Sequence, residues 1–175
     1  MKTKNRLMMT AALVAAAMTT AVPAAALLHE EVATFDGARE LSMSDRQVYD
    51  VGQWGKSSLF FDLFWSSRMD EDELIIRAKT WGAHGVSGPL GINVDGEVLE
   101  IDPIDDIADW KYDTFHGEAM RSVRYRISRE TLDRMMAGKD VRVRFNLGDT
   151  YVDGLFSKGP AMTAKAGFKK FLARL

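Results

Sequence analysis

From Gln47 onward, apolar and polar residues alternate in short runs broken by Gly, Asp and Ser clusters, the period of strands with one buried face. The clearest case lies near the end. Val141, Val143, Phe145 and Leu147 fall on one side of a run, with Arg142, Arg144 and Asn146 on the other. Val123, Tyr125 and Ile127 against Ser122, Arg124 and Arg126 repeat the design. One wet face on each suits an antiparallel sheet, because strands of a parallel sheet are usually apolar on both sides. The pattern predicts strands over Gln47 to Val51, Leu59 to Trp65, Leu74 to Trp81, Leu90 to Val94, Glu97 to Asp102, Met120 to Ile127, Val141 to Leu147 and Thr150 to Phe156. Their spacing predicts a mainly β fold, an antiparallel sandwich or small barrel.

Turn chemistry sharpens the connections. Val94-Asp95-Gly96-Glu97 sets Asp-Gly between two β-runs, and both residues tolerate the positive φ that a tight hairpin requires. Leu147-Gly148-Asp149-Thr150 offers Gly first, as a mirror-image type II turn demands. A longer acidic link, Ser66 to Glu73, joins two further strands. Ser128 caps a short inter-strand helix, Arg129 to Met136, which Gly138 ends. A second helix, begun at Gly159-Pro160, closes the chain. Its Ala161, Ala164, Phe168, Phe171, Leu172 and Leu175 fall within an arc of roughly 100° at about 100° per residue. Lys165, Lys169, Lys170 and Arg174 lie outside that stripe, so the helix is expected to pack on the sheet. Residues 27–44 follow no clear period and read as an irregular N-terminal arm.

The start of the chain has a different character. Lys2, Lys4 and Arg6 precede an apolar run from Leu7 to Met18, and Ala24-Ala25-Ala26 supplies small residues for a cut, the three regions of a secretory signal peptide. About a dozen apolar residues fall short of the roughly 20 that a spanning helix needs, so no stable membrane anchor is expected. Cleavage after Ala26 removes 26 of 175 residues and leaves one domain of 149, residues 27–175. The 26 hold three of the 23 basic residues and none of the 25 acidic ones, so 20 basic face 25 acidic residues and the net charge is −5. That balance speaks against coating nucleic acid by bulk charge. The address implied is periplasmic or secreted, in a Gram-negative bacterium. The chain has no cysteine, which excludes disulfides, thiolate metal sites and thiol catalysis.

Candidate chemistry is sparse. His84 and His116 stand in loops where a spatial metal site with a loop carboxylate is conceivable, while His29 sits beside Glu30 and Glu31; no pair has a zinc-motif spacing. Acids crowd Glu100 to Asp113 and Asp70 to Glu73, but without the alternating ligands and turn glycine of a calcium loop. Arg124 and Arg126 on one strand and Arg142 and Arg144 on another form an arginine-lined binding face if the strands are close, since guanidinium pairs with phosphate and carboxylate in two-pronged fashion. Cross-strand pairing of these arginines with neighbouring acids is the plainer alternative. Gly85-Val86-Ser87-Gly88 is one position short of a nucleophile elbow. Trp54, Phe60, Phe61, Phe64, Trp65 and Trp81 read as core first and as a ligand cleft second, with Phe61, Leu63 and Trp65 on one side and Phe60 and Phe64 on the other.

The Asp-Gly hairpin, the strand-helix-strand segment and the final helix with Gly167-Phe168 faintly resemble the invasion-associated locus B proteins. The resemblance covers the second half only, the cysteines usual in those proteins are missing, and it carries over no site. The reading of the residues is an exported, non-enzymatic binding or accessory protein, its partner an unknown periplasmic protein or small anionic ligand, with no cofactor. The alternatives are a hydrolase assembled from His84, His116 and loop acids, and an envelope structural or stress factor acting through its C-terminal helix.

Overall fold

Alternating strands build two antiparallel sheets around one core, in a computed structural model that describes residues 28–50, 59–81, 85–104, 109–113, 118–157 and 164–175. In chain order the elements are β1 (Leu28–Val32), β2 (Arg39–Asp50), β3 (Leu59–Ser66), β4 (Glu73–Trp81), β5 (Leu90–Val94), β6 (Glu97–Ile101), β7 (Asp109–Asp113), β8 (Glu118–Ser128), α1 (Arg129–Ala137), β9 (Val141–Asn146), β10 (Tyr151–Leu155) and α2 (Ala164–Leu172). One sheet runs β2-β3-β4-β8-β7, with β1 also on β2; the other runs β6-β5-β9-β10. Every pairing is antiparallel, as one wet face per strand predicts.

The two sheets are hydrogen-bonded to each other at two places, yet no closed barrel forms. β2 pairs with β3 along most of its length, then hands Tyr49 and Asp50 to β10. A bulge between Met43 and Arg46 makes that handover possible by adding one residue opposite Asp62. Before it the buried positions are odd, Leu41 and Met43; after it Val48 is buried. At the far edge the chain leaves β6 and meets β8, where Pro103 bridges Tyr125 and the Ile104 N–H donates to the Arg124 carbonyl at 2.8 Å.

Residues 28–32 and 39–44 are strand, which corrects the irregular arm expected over 27–44. Only Leu41 and Met43 are fully buried there, too few to announce a period, and the ladders to β1 and β3 hold the backbone extended. β7 also lay hidden, inside the acidic stretch. The remaining strands fall close to their expected bounds. Asp95 and Gly96 have φ of 53° and 101°, the double positive φ of the tight hairpin, and Gly148 has 75°.

Inward residues from both sheets meet directly. Phe61 of β3 packs edge-on against Phe145 of β9 at 5.0 Å between ring centres, and Phe168 of α2 stands 6.0 Å from Phe61 and 5.2 Å from Phe156. The C-terminal helix therefore packs on the sheet, against β2 and β3, with Ala164, Gly167, Phe168 and Phe171 buried. Lys169 and Lys170 face water, and the Lys165 ammonium donates to the Gly138 carbonyl, tying α2 to the end of α1. The start expected at Gly159-Pro160 lies outside the described residues. Ser128 caps α1, accepting from the Thr131 N–H at 3.1 Å. Gly138 ends it with an ordinary negative φ; it is glycine because a Cβ would stand 2.5 Å from Val141 Cγ2 and 2.9 Å from Val94 Cγ1.

Candidate functional site

The outer face of the first sheet carries a groove of about 280 Å³ whose floor is a grid fixed by strand register. Across one rung lie Asp62 of β3, Arg77 of β4 and Arg124 of β8, directly opposed in turn. The next rung holds Ser42, Phe64, Ile75 and Arg126. On the other side of Asp62 and Arg77, the pairing strands present Phe60, Lys79 and Ser122. Since Leu63, Ile76 and Tyr125 fill the alternating inward positions at 1, 0 and 0 % exposure, these residues point away from the core. The β2 bulge sits opposite Asp62 and brings Ser44 to the groove wall.

The electrostatics of this grid are unusual for a solvent face. The Lys79 ammonium bonds the Asp62 carboxylate at 2.7 Å, with both side chains largely shielded from water. Asp62 is also the acid directly opposite Arg77, but it is engaged diagonally by Lys79, and Arg77 makes no ion pair among the described residues. Arg77 stands directly opposite Arg124 across β4 and β8. One rung along, Arg126 is held by Glu73 at 3.5 Å.

Arg142 and Arg144 do not join this face. They sit on β9 of the second sheet, and since the buried sides of both sheets share one core, their guanidiniums point to the opposite side of the molecule. Arg142 reaches Asp140 at 3.3 Å. Arg144 bonds both oxygens of Asp153, its cross-strand partner, at 2.7 and 3.0 Å and lies 3.8 Å over the Tyr151 ring, so its guanidinium is held still more firmly protonated. The strands share a sequence design, but the fold assigns them to different sheets.

His84 and His116, the candidate metal ligands, lie outside the described residues. His29 is exposed on β1 and 3.0 Å from Glu31, two residues on and so on the same side of the strand. Among the described residues no group of three His, Asp or Glu side chains is placed to hold a metal ion. Ser87 serves the backbone: its hydroxyl accepts the Gly148 N–H at 2.8 Å. Tyr125 donates to the Gly88 carbonyl at 2.9 Å, and burial pushes its phenol above the ordinary range, so it stays protonated and structural.

Phe61 is core, as expected, while Phe60, Phe64 and Trp65 are half-buried; the side chains of Trp54 and Trp81 lie outside what is described. Sequence reasoning missed Arg77, Lys79, Asp62 and the two serines. Their strands were legible, but a cross-strand neighbour is set by register, which no local pattern states. Compared with known protein families, with curated proteins and with solved structures, the chain matches none, so its function is argued from this geometry.

Proposed function

We propose that the protein is an exported, non-enzymatic binding protein that takes a small anion in the groove between Ser42, Arg77 and Arg124. The observation that carries the reading is Arg77, which lines a concavity without an ion pair among the described residues while the acid directly opposite it is bonded to Lys79. The Arg77 guanidinium makes no ion pair among the described residues, and an anion in the groove would give it charge-assisted hydrogen bonds. Export rests on the basic, apolar and small-residue regions of residues 1–26. Among the described residues no helix is long and apolar enough to cross a membrane.

Titration calorimetry with inorganic phosphate and with sulfate tests the site. Arg77→Ala is expected to weaken binding by roughly 10- to 150-fold, the range for one lost charge-assisted hydrogen bond, and Arg142→Ala to leave it unchanged. Equal loss in both variants, or no binding by the intact protein, refutes the reading. N-terminal sequencing of the protein recovered outside the cytoplasm tests the address. Leu27 is the expected first residue, and an intact Met1 there rules out cleavage.

A further inference from the structure

We infer that the anion taken by this groove is a monocarboxylate bearing an apolar group, with the carboxylate on the Arg77 guanidinium and the apolar group over Phe64 and Ile75. The inference rests on the anion-binding reading above and adds the chemistry of the rest of the ligand. A solvated outer sheet face is expected to be polar throughout, yet the rung beside Arg77 opposes Phe64 to Ile75, both half-buried and both lining the same groove. Ile75 and Arg77 lie two residues apart on β4 and so on the same side of the strand, about 6.6 Å from one another along it. A ligand with its charged end at the guanidinium therefore has an apolar surface within reach of the group attached to that end.

The head group follows from the charge. Arg77 and Arg124 are the cations among the described residues of the groove; Arg124 already has a partner, whereas Arg77 makes no ion pair among the described residues. One unmatched positive charge balances one negative charge. A second charge on the ligand would stand beside Asp62, whose carboxylate lines the same groove and is bonded to Lys79 at 2.7 Å, and like charges at that range repel. The two parallel N–H donors of a single guanidinium match the two oxygens of one carboxylate. Ser42 and Ser44, on the β2 wall, supply hydroxyl donors that add no charge. Phe64 and Ile75 shelter the apolar group from water, which is worth about fourfold in affinity for each methylene buried.

Calorimetry of the full protein at pH 8 with acetate, hexanoate, hexanol, adipate and hexyl phosphate tests each part. Hexanoate should bind at least about tenfold more tightly than acetate, because two methylenes removed from water already supply roughly sixteenfold. It should exceed hexanol and adipate by about tenfold or more, and hexyl phosphate, doubly charged at that pH, by about threefold or more. Arg77→Ala should weaken acetate and hexanoate by the same factor, and Phe64→Ser should bring hexanoate close to acetate, with a thermal melt showing each variant folded. Acetate binding as tightly as hexanoate, with Arg77→Ala still weakening both, overturns the apolar group and leaves the anion site standing. Adipate or hexyl phosphate matching hexanoate overturns the single charge and also leaves that site standing. An unchanged hexanoate affinity in folded Phe64→Ser overturns the placement of the apolar group. Hexanol matching hexanoate, or silence from every anion in the series and from inorganic phosphate, removes the anion reading and this inference with it.

Discussion

Phe168 decides whether the C-terminal helix belongs to the core or is available to a membrane or partner. Its side chain is fully buried, 5.2 Å from the Phe156 ring and 6.0 Å from Phe61, and Phe61 in turn contacts Phe145 of the opposite sheet. Phe168→Ala removes a ring at the junction of helix and both sheets and leaves a cavity whose walls are strands, which cannot collapse into it. The loss should be about 4 kcal/mol, within the range for buried Phe→Ala changes. For a domain of ordinary stability, roughly 5–15 kcal/mol, that is a quarter or more of the total. Urea unfolding followed by near-UV circular dichroism measures it. With a slope of roughly 2 kcal/mol per M the midpoint should fall by about 2 M, and the melting temperature should drop by about 10 °C. Lys169→Ala, on the exposed side of the same helix, should change stability by less than ~0.5 kcal/mol. A loss below ~1 kcal/mol for Phe168→Ala would refute the docking argument, because an undocked helix has no cavity to leave.

Arg77→Ala should change stability by less than ~0.5 kcal/mol, because Arg77 makes no ion pair among the described residues, while anion binding weakens; a clear destabilisation would show the guanidinium to be structural. Gly138→Ala should cost about 1–3 kcal/mol, since the new methyl would meet Val141 Cγ2 at 2.5 Å and Val94 Cγ1 at 2.9 Å, and an unchanged urea midpoint would contradict that packing. Asp153→Ala should cost at most about 1 kcal/mol, because the pair it breaks with Arg144 is half-exposed; a double-mutant cycle with Arg144→Ala measures the coupling. Asp95 accepts the backbone N–H groups of Asp140, at 2.8 Å, and of Lys139, which hold its carboxyl below the ordinary range near 3.9. Its contribution to stability is therefore full above about pH 4 and lost as the pH falls through the depressed value in the folded state. Asp95→Asn should abolish that part of the acid dependence, and a parallel acid-unfolding curve would count against it.

Much of the fold was legible because its determinants are local. Val141 to Leu147 and Ser122 to Ile127 alternate without interruption, and Asp95-Gly96 can hardly do anything but turn. Ser128 needed only its own hydroxyl and the helix that follows. The first half of β2 escaped notice because its ladders lie on both sides while only Leu41 and Met43 mark its inner face before the bulge shifts the phase. The groove was half legible. Arg124 stood out as a candidate, but its association with Arg142 and Arg144 rested on similar strands lying near one another, and four strands separate β8 from β9 in the sheet order.

The sequence by itself determined which side of most strands is buried, where the tight hairpins fall, how α1 is capped and which stripe of α2 is apolar. All of these depend on residues a few positions apart. Only the tertiary structure decided which arginines share a face. Side chains on neighbouring strands meet through pairing registers that join residues far apart in the chain, and a shift of one residue would turn Arg77 inward and dismantle the rung it forms with Asp62 and Arg124.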